Sequence, residues 1–143
     1  MPQLDFYVLA GTDPTARRLY VCRLTEKAWK NGHRVFIRVP DATVAALLDD
    51  LLWTFRQGSF IPHALDSNHA DVQLTPILIG MNSAPEGFHD FLINLSNDIP
   101  EDWLRFQRIV EIVDTDANIR QTGREKYRAY QKQGIKPVVH RIP

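Results

Sequence analysis

The chain has one cysteine, Cys22, which excludes an internal disulfide and any metal site built on several thiolates. Seventeen basic and seventeen acidic residues cancel over 143 positions, so no global field steers the chain to nucleic acid or to a membrane. No apolar run approaches the roughly 18 residues needed to cross a bilayer. The opening "MPQLDFYVLAG" lacks a basic stretch followed by a long apolar core, so no secretory signal is expected. Glycine is scarce where nucleotide-binding turns need it: the first strand-to-helix turn, "VLAGTDPTARR", has neither G-x-x-x-x-G-K-[ST] nor G-x-G-x-x-G. These absences point to the cytoplasm and away from phosphate-loop chemistry.

What remains is the composition of an ordinary globular chain, 44% hydrophobic and 24% charged. Its length fits one domain over residues 1–143, with no internal repeat and no linker. "DFYVLA" reads as a buried first strand ending at Gly11. Asp13 then caps a helix with Pro14 in its first turn, Leu19, Cys22 and Trp29 share its apolar side, and Gly32 closes it. "RVFIRVP" is a second strand, and Asp41 opens a second helix through Ala45, Leu48 and Leu52. A loop follows over residues 56–71.

Beyond that loop, "TPILIGM", "FLINLS" and "RIVEIVD" read as strands, "IPEDWLRF" as a short helix, and Asp116 as the cap of a final helix reaching Gly134. The order β-α-β-α-β-β-α-β-α implies an α/β three-layer sandwich with a mainly parallel central sheet.

Catalytic patterns are sparse. His33, His63, His69, His89 and His140 lack the i, i+4 spacing of a helical zinc site. His63 and His69 share a loop and have the reach to converge on a metal, although a hydrogen-bonded or solvated loop histidine is the commoner outcome. No G-x-S-x-G surrounds Ser59, Ser67, Ser83 or Ser96. Cys22 lies on an apolar helix side, which suits a small core residue better than a nucleophile. Asp49 and Asp50 read as a solvated helix face, and Glu101 and Asp102 as a helix start. No cofactor, metal or enzyme is called for.

Local charge is uneven. Residues 86–116 hold eight acidic side chains against Arg105 and Arg108, a net of −6. Residues 120–136 hold Arg120, Arg124, Lys126, Arg128, Lys132 and Lys136 against Glu125, a net of +5. At about 100° per residue, Arg120, Arg124, Tyr127 and Gln131 share a sector of about 60°, with Arg128 just outside it. Guanidiniums around a flat ring suit a peptide carboxylate. They also suit single-stranded nucleic acid, whose bases stack on aromatics. A plain surface helix, arginines to water and tyrosines to the core, fits the spacing equally. The second distinctive stretch is "LLWTFRQGSFIPHAL", where Trp53, Phe55, Phe60, Ile61 and Pro62 crowd a helix end and loop. Helical periodicity buries Leu48 and Leu52 but does not obviously bury Trp53 and Phe60. They are either interface anchors or a satellite of the core.

In order along the chain, "FYVL", "AWKNGHRVFI", "LLWTFRQGSFIPHAL", "PILIG", "FLINLS", "RIVEIVD" and "REKYRAY" together resemble the chi subunit family of the bacterial DNA polymerase III holoenzyme. No piece alone is diagnostic; their joint order over roughly residues 5 to 134 is. The resemblance implies a nucleotide-binding-like α/β fold without a phosphate loop. It also implies a non-catalytic adaptor linking the clamp loader, through the psi subunit, to single-stranded-DNA-binding protein. That protein's acidic C-terminal tail ends in a phenylalanine with a free carboxylate. By position, the psi-facing aromatics are Trp53 and Phe60. The tail-binding set is Arg120, Arg124, Tyr127 and Arg128, with Val113 as an apolar wall. Arg120 and Arg128 stand where the family pattern has lysine, which keeps the charge. The last stretch, "IKPVVHRIP", matches nothing in that pattern and is assigned no role. Direct binding of single-stranded nucleic acid by the basic helix is the alternative use.

Overall fold

The computed structural model describes residues 1–58, 60–66 and 75–143. Its strands are β1 (Gln3–Leu9), β2 (Val35–Arg38), β3 (His63–Leu65), β4 (Ile77–Gly80), β5 (Phe91–Asn94), β6 (Arg108–Val113) and β7 (Val138–Ile142). The helices are α1 (Pro14–Lys30), α2 (Ala42–Thr54) and α3 (Ala117–Lys132). All seven strands join one sheet in the order β3-β4-β2-β5-β6-β1-β7, and every neighbouring pair is parallel. The expected α/β sandwich with a parallel sheet is the fold that forms.

Alternation along the strands builds the two sides. Val35, Ile37, Ile77, Ile79, Phe91, Ile93, Val110 and Ile112 pack with Val21, Cys22 and Ala28 of α1 and Leu48 and Leu52 of α2. The intervening Phe36, Leu78, Leu92 and Ile109 pack with Phe88, Phe106, Tyr130 and Ile135 on the other face. Period-two patterning with apolar residues at both phases is what a sheet covered on both faces requires.

Helix boundaries follow the local chemistry. Asp13 accepts from the Thr15 amide at 2.9 Å, Asp41 from Val44 at 2.9 Å, and Asp116 from Asn118 and Ile119 at 3.0 and 3.1 Å. Each carboxylate satisfies an amide left free by the first helical turn. Gly32, with φ +87°, and Gly134, with φ +88°, take the left-handed turns beyond α1 and α3.

Three expectations are corrected. "IPEDWLRF" forms only a 3-10 turn, Trp103–Arg105. Asp102 there does not start an α-helix; it accepts from His89 Nε2 at 3.2 Å and the Ala84 amide at 3.3 Å, tying two loops together. The segment read as a loop contains β3, and the unassigned C-terminal stretch forms β7 at the edge of the sheet. β3 is only three residues long and β7 follows its valines with His140 and Arg141, so neither shows a clean apolar alternation.

Candidate functional site

A groove of about 560 Å3 runs between α3 and the β7 edge of the sheet. Arg120, Arg124, Tyr127, Arg128 and Val113, the five residues singled out on sequence grounds, all line it. Val113 lies near the C-terminal end of β6, and α3 crosses above it. The approach is close because residue 123 is glycine: a Cβ there would stand 2.8 Å from Val113 Cγ2. The floor between helix and sheet is therefore apolar, with Val113, Val8 and Phe6 along it. The ring of Tyr127 meets Phe6 edge to face, 5.4 Å between centroids, and is half-buried.

The final helix divides its charges and rings between two environments. Arg120, Arg124 and Arg128 are exposed along the groove, and none pairs with a carboxylate among the described residues. Lys126, counted with them from sequence, belongs to the interior. Its ammonium donates to Glu111 Oε1 at 2.9 Å and to the Ser96 carbonyl at 2.5 Å. Tyr130 is likewise fully buried, donating to Glu111 Oε2 at 2.9 Å. Burial, and then the neighbouring Glu111 charge, push the Tyr130 phenol well above its ordinary range. Solvated arginines and core tyrosine thus coexist on one helix, and Tyr127 stands between them.

The opposite wall was not anticipated. β7 brings Val139 and Arg141 to the groove, adding an apolar side chain and a fourth guanidinium. Nothing in "IKPVVHRIP" marks these residues alone; only the pairing of β7 with β1, in the register Asp5–Val138 through Leu9–Ile142, brings them there. The groove also contains Asp114, which is buried. Its Oδ1 accepts from the Asp116 amide at 2.9 Å, and Oδ2 has no hydrogen-bond partner among the described residues.

The second sequence-selected pair lies elsewhere, at the end of α2. Trp53 and Phe60 are exposed by 42% and 69%, with ring centroids 5.0 Å apart. Trp53 also packs on His63 at 4.2 Å. His63 is buried, with Nδ1 2.7 Å from the Ile61 carbonyl and Nε2 3.1 Å from the Asp49 carbonyl. Asp49 is therefore a tether for this loop, not a freely solvated charge. Ile61, grouped from sequence with the surface aromatics, is fully buried and fastens the loop to the core. His69, the other half of the possible metal pair, lies outside the described residues.

The turn after β1 has no phosphate cradle. It holds one glycine, Gly11, and the Asp13 carboxylate occupies the first free amide of α1. Thr115 ties the same turn down, its amide and hydroxyl donating to the Gly11 carbonyl at 3.0 and 2.7 Å. A carboxylate at the helix N-terminus disfavours a phosphate there by like-charge repulsion. Cys22 is fully buried, and burial pushes its thiol up to about 12. It is a core residue.

Residues 1–138 match the family model described as DNA polymerase III chi subunit, HolC. The chain is 39% identical over 143 residues to DNA polymerase III subunit chi of Pseudomonas aeruginosa, covering 100% of this chain and 99% of that one. It is 28% identical over 140 residues to subunit chi of Escherichia coli, covering 94% and 95% respectively. Among solved structures it is similar to domain 2 of the Mss116p DEAD-box helicase bound to an RNA duplex. That likeness has a TM-score of 0.62 at 12% identity, and covers 98% of this chain and 65% of the other. The C-terminal domain of the DEAD-box protein Dbp5 gives a TM-score of 0.59 at 14% identity, covering 97% and 90%. At such identities the likeness to helicase domains is one of fold alone.

Proposed function

The chain belongs to the family of DNA polymerase III chi subunits, a component of the replication machinery, and we propose that it serves there as a non-catalytic adaptor. In this reading, residues 1–143 act as one domain with two protein-binding faces. The α3–β7 groove takes the acidic C-terminal tail of single-stranded-DNA-binding protein. The Trp53–Phe60 face takes the psi subunit and so reaches the clamp loader.

One observation carries the first assignment: four arginines that pair with no carboxylate among the described residues, Arg120, Arg124, Arg128 and Arg141, surround an apolar floor at Val113 and Tyr127. A terminal phenylalanine offers the matching chemistry, a ring for the floor and a carboxylate for a guanidinium fork. Upstream acids gain attraction from the remaining arginines, screened by salt over about 8 Å at physiological strength. The buried Asp114 disfavours a carboxylate beside it, which leaves the arginines of α3 as the carboxylate's partners. An interface this small binds at about micromolar strength, which suits a contact made and broken repeatedly.

Single-stranded nucleic acid fits less well. Among the described residues Tyr127 is the one half-exposed aromatic ring on the groove wall, and a strand of bases stacks on successive rings. Calorimetry with a nonapeptide of acidic residues ending in phenylalanine tests the assignment. Arg124→Ala is expected to weaken binding at least tenfold without lowering the melting temperature. Tyr127→Ala is expected to weaken it as much in a domain that stays folded although it loses the packing on Phe6. Amidating the peptide's C-terminus is expected to weaken binding to the unaltered chain to the same degree. Equal affinity across these variants, or tight salt-sensitive binding of a bare oligonucleotide in place of the peptide, would remove the proposal.

A further inference from the structure

Among the described residues β7 ends the sheet, with β1 as its one strand neighbour. In a parallel pair the backbone groups of alternate residues point to alternate sides. The Ile142 carbonyl accepts from the Ala10 amide at 3.3 Å, so Val138, His140 and Ile142 turn their backbone groups inward to β1. Val139 and Arg141 therefore turn theirs outward. The same two residues place their side chains on the groove wall. On the opposite face, His140 stacks on Tyr7 at 4.6 Å and its Nε2 lies 2.8 Å from Asp5 Oδ1.

An open edge of this kind is usually blunted by a bulge, a proline or charged side chains, lysine above all. Of these β7 carries Arg141 and His140, the latter turned to Asp5. Here the register with β1 is continuous, Pro137 and Pro143 stand outside the strand, and Val138 and Val139 are 49% and 42% exposed. The outward backbone groups of Val139 and Arg141, unpartnered among the described residues, thus border an arginine-lined apolar groove. Successive outward residues lie ~6.6 Å apart, the spacing of alternate residues in an extended peptide. A nucleic acid backbone has no matching series of donors and acceptors.

We propose that the groove's peptide ligand is held in extended form along β7, as an eighth strand paired with the main chain of Val139 and Arg141. This inference rests on the adaptor reading and adds to it the ligand's conformation. Main-chain pairing supplies sequence-tolerant affinity, while the ring and carboxylates supply selectivity. It accounts for a role of the C-terminal strand that side-chain chemistry alone does not.

The test is amide hydrogen exchange by NMR on the full chain, with and without the acidic, phenylalanine-terminated nonapeptide at saturation. The amides of Val139 and Arg141 are expected to slow at least tenfold, with those of Val138 and His140 changing much less. Val139→Pro, which deletes one outward N–H at a position where an edge strand tolerates proline, is expected to bind at least fivefold more weakly than Val139→Ala. Saturable binding with both outward amides unprotected would overturn the eighth strand and leave the adaptor reading standing. So would equal affinity of a stably folded Val139→Pro and Val139→Ala. If Val139→Pro fails to fold, the exchange pattern of the unaltered chain decides alone. Failure of the unaltered chain to bind the peptide would overturn both.

Discussion

The ammonium of Lys126 lies 2.9 Å from the carboxylate of Glu111, and both side chains are shut away from solvent between α3 and the sheet. Glu111 Oε2 also accepts from Tyr130 and from Asn94 Nδ2, each at 2.9 Å, so the charges are closely satisfied. Ser96 joins the network through its carbonyl to Lys126 and its hydroxyl to Asn94 Oδ1 at 2.6 Å. The network fastens the groove-bearing helix to β5 and β6.

Removing one partner of such a pair leaves the other charge buried and alone. Lys126→Ala is therefore expected to cost about 3–5 kcal/mol of stability, read by urea denaturation. Tyr130→Phe, which removes one neutral donor to Glu111, is expected to cost about 1–3 kcal/mol. Arg124→Ala and Arg128→Ala, at exposed positions without a carboxylate partner among the described residues, are expected to stay within about 0.5 kcal/mol of the parent. A Lys126 variant as stable as the arginine variants would contradict the network.

Gly123 gives a prediction opposite to helix propensity. Replacing an interior helical glycine with alanine ordinarily stabilises by about 1 kcal/mol. Here the new methyl would stand 2.8 Å from Val113 Cγ2 and 3.3 Å from Cγ1. Overpacking of that kind costs about 1–3 kcal/mol, so it outweighs the propensity gain. Gly123→Ala is expected to lower the melting temperature and weaken peptide binding, because α3 must lift from β6. Combining it with Val113→Ala is expected to cost less than the two changes summed. Simple additivity in thermal denaturation would show that the contact is not limiting.

Much of this was legible along the chain and some was not, for physical reasons. The caps at Asp13, Asp41 and Asp116 are local chemistry, readable from a residue and the turn that follows it. The core strands announce themselves because both faces are covered. The α3 residues of the groove come from one helical face and could be named together. Val139 and Arg141 could not, since their place depends on a strand pairing whose other member, β1, lies more than a hundred residues away. Lys126 was miscounted with the surface charge because periodicity gives its direction but not the buried Glu111 that meets it. Asp49 shows the same limit: its partner His63 arrives only when the loop after α2 folds back.

The exposed aromatic pair should separate folding from binding. Phe60, 69% exposed, is expected to tolerate alanine within about 0.5 kcal/mol. Trp53→Ala should cost more, since the ring also covers the buried His63 at 4.2 Å. Both changes are expected to abolish capture of a psi-type partner in a pull-down while leaving peptide binding in the α3–β7 groove unchanged. Loss of peptide binding in either variant would mean that the two faces are not independent.

Cys22 gives the clearest pH dependence. Its thiol is fully buried in the α1 side of the core, and desolvation raises it from an ordinary 9.0 to about 12. Between those values the unfolded chain loses the proton while the folded chain keeps it. The folded state then binds more protons, so stability is complete below pH 9 and falls as pH rises. One such group contributes a slope of at most about 1.4 kcal/mol per pH unit. Tyr130, also raised by burial, adds a further loss at higher pH. Urea denaturation of the parent and of Cys22→Ala at pH 8, 9 and 10 is expected to show a shallower decline in the variant, whatever the absolute cost of the smaller side chain. The native thiol is also expected to resist a disulfide reagent at pH 8 and to react fully once denatured. Rapid native-state labelling, or identical alkaline slopes in the two chains, would place Cys22 in contact with solvent and contradict its position in the core.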